Sequence, residues 1–194
     1  MSQRDARRLS PDRVMEWYEA MRESLVAYRG AVLAAFRAGG LTSFPRFLGM
    51  TADDIDEAFS SQREELDNVT VLSLMASAEA EIQADYDLRS ARRKLRDPLS
   101  KEYSRLHSEL RRRGWFERRS RPSFDDHLLE AIRASGIAPP HVVGHFRDIL
   151  NLRHWLAHGR YWAANLGRRT YDPHDVYQTI IALTAVLPPI HPGP

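Results

Sequence analysis

The sequence contains no cysteine, which excludes disulfide bonds and metal sites built from thiolates. It also lacks any apolar run close to the roughly 20 residues that a membrane-spanning helix needs. The first ten residues, MSQRDARRLS, include no hydrophobic segment of the kind found in secretory signals. We therefore expect a cytoplasmic protein that does not bind a membrane, and we predict neither a metal nor a cofactor.

Alternation of apolar and polar residues, the mark of a half-buried strand, is also missing over any useful length. The 194 residues are 43% hydrophobic and 28% charged, a balance typical of one globular domain with a real core. Apolar residues instead recur at helical spacing along most of the chain. These patterns predict a single all-α domain over residues 1–194, a compact bundle of five to seven helices in which residues 1–50 form an N-terminal helix and loop.

Local signals predict where the helices begin and end. Serine, threonine or aspartate before a helix can accept hydrogen bonds from its first free N–H groups, and proline is favoured at the first helical positions. Such signals precede six helices, which are expected to begin near Pro11, Ala52, Pro98, Phe124, Pro140 and Pro173. The second helix is expected to run from a Thr51–Asp54 capping pair to about Arg96, with one break near Ser60 or Ser61.

Charge is distributed unevenly along the chain. Acidic residues dominate between Thr51 and Asp87, whereas Arg89 to Arg121 is a block of mostly basic residues. Two interpretations remain open for this block, a surface that binds a polyanion and an ordinary solvated helix face. A helical DNA-binding regulator is a further functional class that would use it. For an RNA ligand, the predicted backbone-binding residues are Arg92, Arg93, Lys94, Arg111, Arg112 and Arg113.

The segment NLRHWLAHGRYW, residues 151–162, contains the least expected pattern in the sequence. At about 100° per residue, Arg153 falls in the middle of an apolar stripe of its predicted helix, although a guanidinium cannot lose its charge in a protein. Arg153 and His158 are five residues apart, so their directions differ by roughly 140°. They can approach one anion if His158 turns back at the helix end, or if two copies of the helix meet about a two-fold axis.

The string LRHWLAHG resembles the R-x4-6-H signature of the HEPN superfamily (higher eukaryotes and prokaryotes nucleotide-binding domains). It is particularly similar to the LRN-x-x-AHG form of bacterial HEPN toxins and defence proteins of the RiboL-PSP type. The segments EELDNVTVLSLMASAEAEI and DPHDVYQTIIAL are also similar, so the resemblance covers about residues 60–186. It implies a homodimeric helical bundle in which Arg153 and His158 are the catalytic pair and His154 occupies the adjacent polar position.

The activity that the resemblance implies is metal-independent cleavage of RNA, in a toxin–antitoxin or antiviral defence setting with a cognate antitoxin or defence partner. Such cleavage uses the ribose 2′-hydroxyl as nucleophile and leaves a 2′,3′-cyclic phosphate and a 5′-hydroxyl. Histidine can move the protons near neutral pH, and arginine can stabilise the extra negative charge. The alternative is a non-catalytic HEPN module that binds RNA or nucleotide, or that dimerises as an adaptor.

Three further residues are predicted to support this site. Glu79 shares an apolar stripe with Met75 and Ile82, and we expect it to orient Arg153 or His158 unless it is a border residue that reaches solvent. The other two are Asn151 and Tyr161. Tyr161 is one position too far from His158 to match the R-x4-H-x-Y form, so it is interpreted as a packing or base-stacking residue.

Histidines also occur in two pairs at the i, i+4 spacing of helical metal ligands. The first pair is His141 and His145, and the second is His154 and His158. The two pairs are predicted to point in different directions, and neither has an obvious carboxylate partner in the sequence. We therefore favour an RNA-cleaving site over a metal site.

Overall fold

The structure is a computed structural model that describes residues 9–92, 97–114, 121–158 and 172–189. These residues form helices and no strand, which confirms the predicted all-α class. The six α-helices are α1 (Pro11–Arg37), α2 (Ala52–Ala91), α3 (Pro98–Arg112), α4 (Glu130–Ser135), α5 (Pro140–Ala157) and α6 (Pro173–Ala185). Two 3₁₀ turns join α1 to α2, and a π-helical segment, Phe124–Leu129, leads directly into α4. No helix among these residues is long and apolar enough to cross a membrane.

Helix α2 is the longest element, with 40 residues, and it contacts α1, α3, α5 and α6. Its first turn is held by the predicted capping box, in which the Thr51 hydroxyl accepts from the Asp54 N–H and the Asp54 carboxylate accepts from the Thr51 N–H. The predicted break near Ser60 or Ser61 is wrong, because the helix is continuous there. Both serines lie on its exposed side, where their weak helix propensity costs little.

Two separate groups of buried side chains stabilise the fold. The main core surrounds the second half of α2 and is closed by apolar residues of α5 and α6. Its fully buried members include Leu74, Ile82, Phe146, Ile149, Ile180 and Leu183. The smaller core lies between the C-terminal half of α1 and the N-terminal half of α2, around Val32, Phe47, Ile55 and Phe59. The α5 helix thus packs against α2 and α6 in the main core.

Arg89 lies inside the protein, with 1% of its surface exposed. Its Nε donates to Asp85 at 2.7 Å, and its Nη1 donates to Asp97 and to the Ser100 hydroxyl at 3.0 Å. Its Nη2 donates to the main-chain carbonyl of Pro188. Neither interpretation of the basic block, a polyanion-binding surface or a solvated helix face, applies to Arg89, because its donors join α2, the start of α3 and the end of α6 inside the protein.

His174, in the first turn of α6, links that helix to α1. Its Nε2 lies 2.7 Å from Glu19 Oε1, and its Nδ1 lies 2.9 Å from Asp172 Oδ1. Burial lowers the pKa of His174, but hydrogen bonds to Asp172 and Glu19 outweigh it, so the pKa is raised above its ordinary value of 6.5. Because both ring nitrogens face carboxylates, the arrangement favours the doubly protonated imidazolium.

We expect this link to make the free energy of unfolding depend on pH. A histidine with a raised folded-state pKa contributes its full stability below the unfolded value of 6.5, and that contribution is lost as pH rises through the folded pKa. The measurement is urea unfolding at a series of pH values across this window for the wild type and for His174→Gln. The glutamine variant should show a shallower decline, and an unchanged decline would contradict the assignment.

Candidate functional site

The C-terminal end of α5 brings two histidines side by side. The N–H of His158, the residue after the helix, donates to the carbonyl of His154 at 3.1 Å, which continues the helical turn by one residue. Residues four apart lie on the same face of a helix. The two imidazole rings are accordingly parallel, with an interplanar angle of 8° and 6.3 Å between their centroids. One chain therefore presents two imidazoles on one surface.

The side chain of Arg153 on α5 is partly buried, with 32% of it exposed. Its backbone position lies among the apolar positions as predicted, but the charged end of the side chain is not buried with them. The apolar positions around it, including Phe146, Ile149 and Leu156, are buried, while the guanidinium extends beyond them toward α2 and solvent. There its Nη2 donates to Glu79 Oε2 at 3.1 Å.

Glu79 lies in the partly buried space between α2 and α5. Its Oε2 accepts from Arg153, whereas its Oε1 is buried and has no hydrogen-bond partner among the residues that the structure describes. Burial raises the pKa of Glu79; Arg153 and His154 oppose that rise, and Asp125 adds to it. The carboxylate therefore interacts electrostatically with three charged or titratable groups of the same site. The predicted contact between Glu79 and Arg153 is present.

His154 is paired with Asp125, which sequence reasoning did not select. The distance from His154 Nε2 to Asp125 Oδ2 is 2.8 Å, and both side chains are about two-fifths exposed. In the sequence, Asp125 follows the capping residue Ser123, where an acidic residue is expected simply because it stabilises a helix N-terminus. No local signal connects it with a histidine 29 positions later.

The π-helical segment determines which acidic residues face α5. Its hydrogen bonds join residue i to residue i+5, as in the 3.3 Å bond from the Leu128 N–H to the Ser123 carbonyl. This geometry places Asp125 and Glu130 on nearly the same side, whereas a regular α-helix would separate them by roughly 140°. Asp125 can thus pair with His154, while Glu130 pairs with Arg147, which lies about two turns earlier on α5.

Asn151 is exposed on α5, one turn before His154. The predicted RNA-binding arginines lie elsewhere: Arg92 is exposed at the end of α2, and Arg111, Arg112 and Arg113 are exposed at the end of α3. Arg113 is bound to Glu109 at 2.5 Å. Tyr161, Arg93 and Lys94 lie outside the described residues.

The first of the two histidine pairs considered for a metal, His141 and His145, lies on α5 inside the described ranges. His145 Nδ1 lies 3.2 Å from the hydroxyl of Thr179 on α6, and His141 is exposed in the first turn of α5. Within the same ranges, no group of three or more histidine, cysteine, aspartate and glutamate side chains is arranged to hold a metal ion.

The end of α5 therefore combines two parallel imidazoles, one guanidinium and two carboxylates, which come from α2, the π-helical segment and α5 itself. Imidazoles can accept and donate protons near neutral pH, and a guanidinium can bind an anion. The carboxylates of Asp125 and Glu79 hold one imidazole and the guanidinium in place. Comparison of the chain with protein-family models, with curated proteins and with solved structures finds no match.

Proposed function

We propose that the protein is a metal-independent endoribonuclease whose active site lies at the end of α5, where His154, His158 and Arg153 act on RNA. The observation that supports this proposal best is the parallel arrangement of two imidazoles 6.3 Å apart, next in sequence to an arginine held by a carboxylate. Transfer of two protons beside a phosphate needs such a set of groups, and it needs no metal ion.

The reaction forms one bond and breaks another at the same phosphorus. The ribose 2′-oxygen attacks the adjacent phosphate as its proton leaves, and the bond to the 5′-oxygen breaks as that oxygen receives a proton. The products are a 2′,3′-cyclic phosphate and a 5′-hydroxyl. One group must therefore accept a proton and another must donate one.

The two histidines divide these roles within one chain. His158, which is exposed, takes the proton from the 2′-hydroxyl. His154 donates the second proton through Nδ1, because its other ring nitrogen, Nε2, is held by Asp125. Both imidazoles of this proposal belong to a single protomer.

Arg153 stabilises the negative charge that develops on the phosphate oxygens. A guanidinium has five N–H donors, and the contact with Glu79 uses only part of them. Glu79 fixes the direction of the Arg153 guanidinium. Less conformational freedom is therefore lost when its remaining N–H donors bind the phosphate. We also propose that the protein is a homodimer, in which the partner subunit would exclude water from the Arg153–Glu79 pair. The proposed biological role is that of a toxin or phage-defence nuclease.

The proposal is tested with purified protein and end-labelled single-stranded RNAs of varied sequence in excess chelator. We expect cleavage that persists without metal and gives cyclic-phosphate and 5′-hydroxyl ends. The same RNA with 2′-O-methyl groups should remain intact because its nucleophile is blocked. His158→Ala, purified in parallel, controls for contaminating nucleases. No cleavage of any RNA by the wild type would contradict the proposal and favour a non-catalytic module that binds RNA or nucleotide.

Glu79→Gln should separate activity from stability. Loss of the charged acceptor weakens the orientation of Arg153, for which we expect a fall in cleavage rate of about tenfold, equivalent to about 1.4 kcal/mol. The same change should not destabilise the fold at neutral pH, because burial outweighs Arg153 and raises the pKa of the native carboxyl. Cleavage rates and urea unfolding measure the two effects. Full activity in the variant would contradict the positioning role of Glu79.

A further inference from the structure

The face of α5 that carries the two histidines continues toward the start of the helix. Arg147, Asn151, His154 and His158 follow one another at spacings of four, three and four residues. On a helix these positions fall within an arc of about 60° and span about 16 Å along the axis. Arg147 is 46% exposed in its side chain, and Asn151 is exposed. A single polar stripe thus extends from the candidate catalytic groups to an arginine about two turns away.

Arg147 shares one carboxylate with a second arginine. Its Nη2 contacts Glu130 Oε1, while Arg133 on α4 donates to Glu130 Oε2 through Nε at 2.8 Å and through Nη2 at 2.7 Å. The three side chains carry a formal net charge of +1. Each guanidinium retains N–H donors beyond those that Glu130 uses. The group is therefore an oriented cation at the surface of the α4–α5 pair.

We propose that Arg147 and Arg133 bind a second phosphate of the RNA strand that His154 and His158 cleave. Two forked guanidiniums held by one carboxylate match the oxygen geometry of a phosphate, and they are already oriented before the RNA arrives. The stripe leads directly from this pair to the scissile position, with the Asn151 amide between them to bind a nucleotide. This subsite rests on the proposed ribonuclease function, and it extends that function by assigning where the flanking backbone binds.

The subsite is tested by binding of a short, fluorescent, single-stranded 2′-O-methyl RNA, which cannot be cleaved. Affinity is measured at several salt concentrations for the wild type, Arg147→Ala and Arg133→Ala. Each phosphate contact on a single strand contributes about −0.7 to the slope of log affinity against log salt concentration. We expect loss of the contact to weaken binding and to make that slope shallower by about 0.7.

Arg22→Ala provides a matched control. Arg22 is also a glutamate-paired arginine, with 41% of its side chain exposed, but it lies on α1. Its removal subtracts the same charge and should leave the slope close to that of the wild type. Thermal unfolding midpoints should be the same for all the variants, because each substitution removes only a solvent-exposed ion pair.

Kinetics on cleavable RNA give an independent readout. A flanking contact made before and during the reaction should raise KM in Arg147→Ala while kcat changes little. If the wild type cleaves RNA but Arg147→Ala and Arg133→Ala keep its salt slope and KM, the subsite is overturned and the nuclease proposal stands. Binding with the expected slope change but no cleavage would instead overturn the proposed activity and retain the subsite. Absence of binding by the wild type would overturn both.

Discussion

Arg89→Met is expected to lower the free energy of unfolding by about 3 to 5 kcal/mol, because it leaves buried charges without their partner. Asp85 and Asp97 both bond to the Arg89 guanidinium, and their side chains are only 13% and 23% exposed. The Pro188 carbonyl would also lose its donor. Methionine fills much of the same space, so the expected loss comes mainly from unpaired polar groups rather than from a cavity.

The two carboxylates respond differently to this environment. Burial raises the pKa of Asp85, and Arg89 only partly opposes that rise. At Asp97 burial also raises the pKa, but hydrogen bonds from Ser100 and the charge of Arg89 outweigh it, so the pKa lies below its ordinary value. A carboxylate with a lowered pKa contributes stability above its unfolded value, and that contribution is lost as pH falls through the folded pKa. The cost of Arg89→Met should therefore shrink in acid.

Denaturant unfolding of the wild type and Arg89→Met at neutral and acidic pH measures both effects. Arg111→Met is the matched control, since this arginine lies exposed at the end of α3 and should change stability by less than about 0.5 kcal/mol. Arg89→Lys should also be destabilising, because an ammonium cannot reproduce the forked contacts. A loss in Arg89→Met no greater than that in Arg111→Met would contradict the buried network.

Substitution of the site histidines is expected to have the largest effect on activity. His158→Ala and His154→Ala should each slow RNA cleavage by about 10²-fold to 10⁴-fold, the usual range for loss of a general base or acid. Arg153→Ala should cost about 10²-fold to 10³-fold through lost stabilisation of the transition state. The double histidine variant should be little worse than either single variant, because both groups serve the same step.

His141→Ala is the matched control for these substitutions. His141 and His158 are both exposed, but His141 lies in the first turn of α5 and His158 just after its last residue. Removal of the His141 imidazole should therefore leave the cleavage rate unchanged. The wild-type rate should also pass through a maximum with pH, because one imidazole must be neutral and the other protonated. His158→Ala cleaving at the rate of His141→Ala would contradict the assignment of His158 as the base.

Helix boundaries could be read from the sequence because their causes are local. The Ser10–Pro11 start of α1 and the Thr51–Asp54 capping box depend on atoms three or fewer residues apart. The error near Ser60 arose where a weak local preference competes with packing, since the buried residues of α2 hold the helix through that point. Local sequence signals therefore predicted where helices start more reliably than whether a helix is continuous.

Long-range pairing could be predicted at only one position. Glu79 on one apolar stripe was expected to orient Arg153 or His158, and the structure has the contact with Arg153. The contacts of Arg89 were hidden, since its position within a basic run resembles that of its exposed neighbours. One of its acceptors, the Pro188 carbonyl, is 99 residues away.

The sequence by itself determined an all-helical chain, the starts of its helices and the residues in the R-x4-H motif. These features follow from hydrogen bonds and apolar spacings within a few residues. Only the tertiary structure decided that Arg89 is buried, that His154 pairs with Asp125 and that Glu130 holds both Arg133 and Arg147. Those contacts depend on how separate helices pack and on a π turn that rotates two acidic residues toward α5, and a charge alone does not specify its partner.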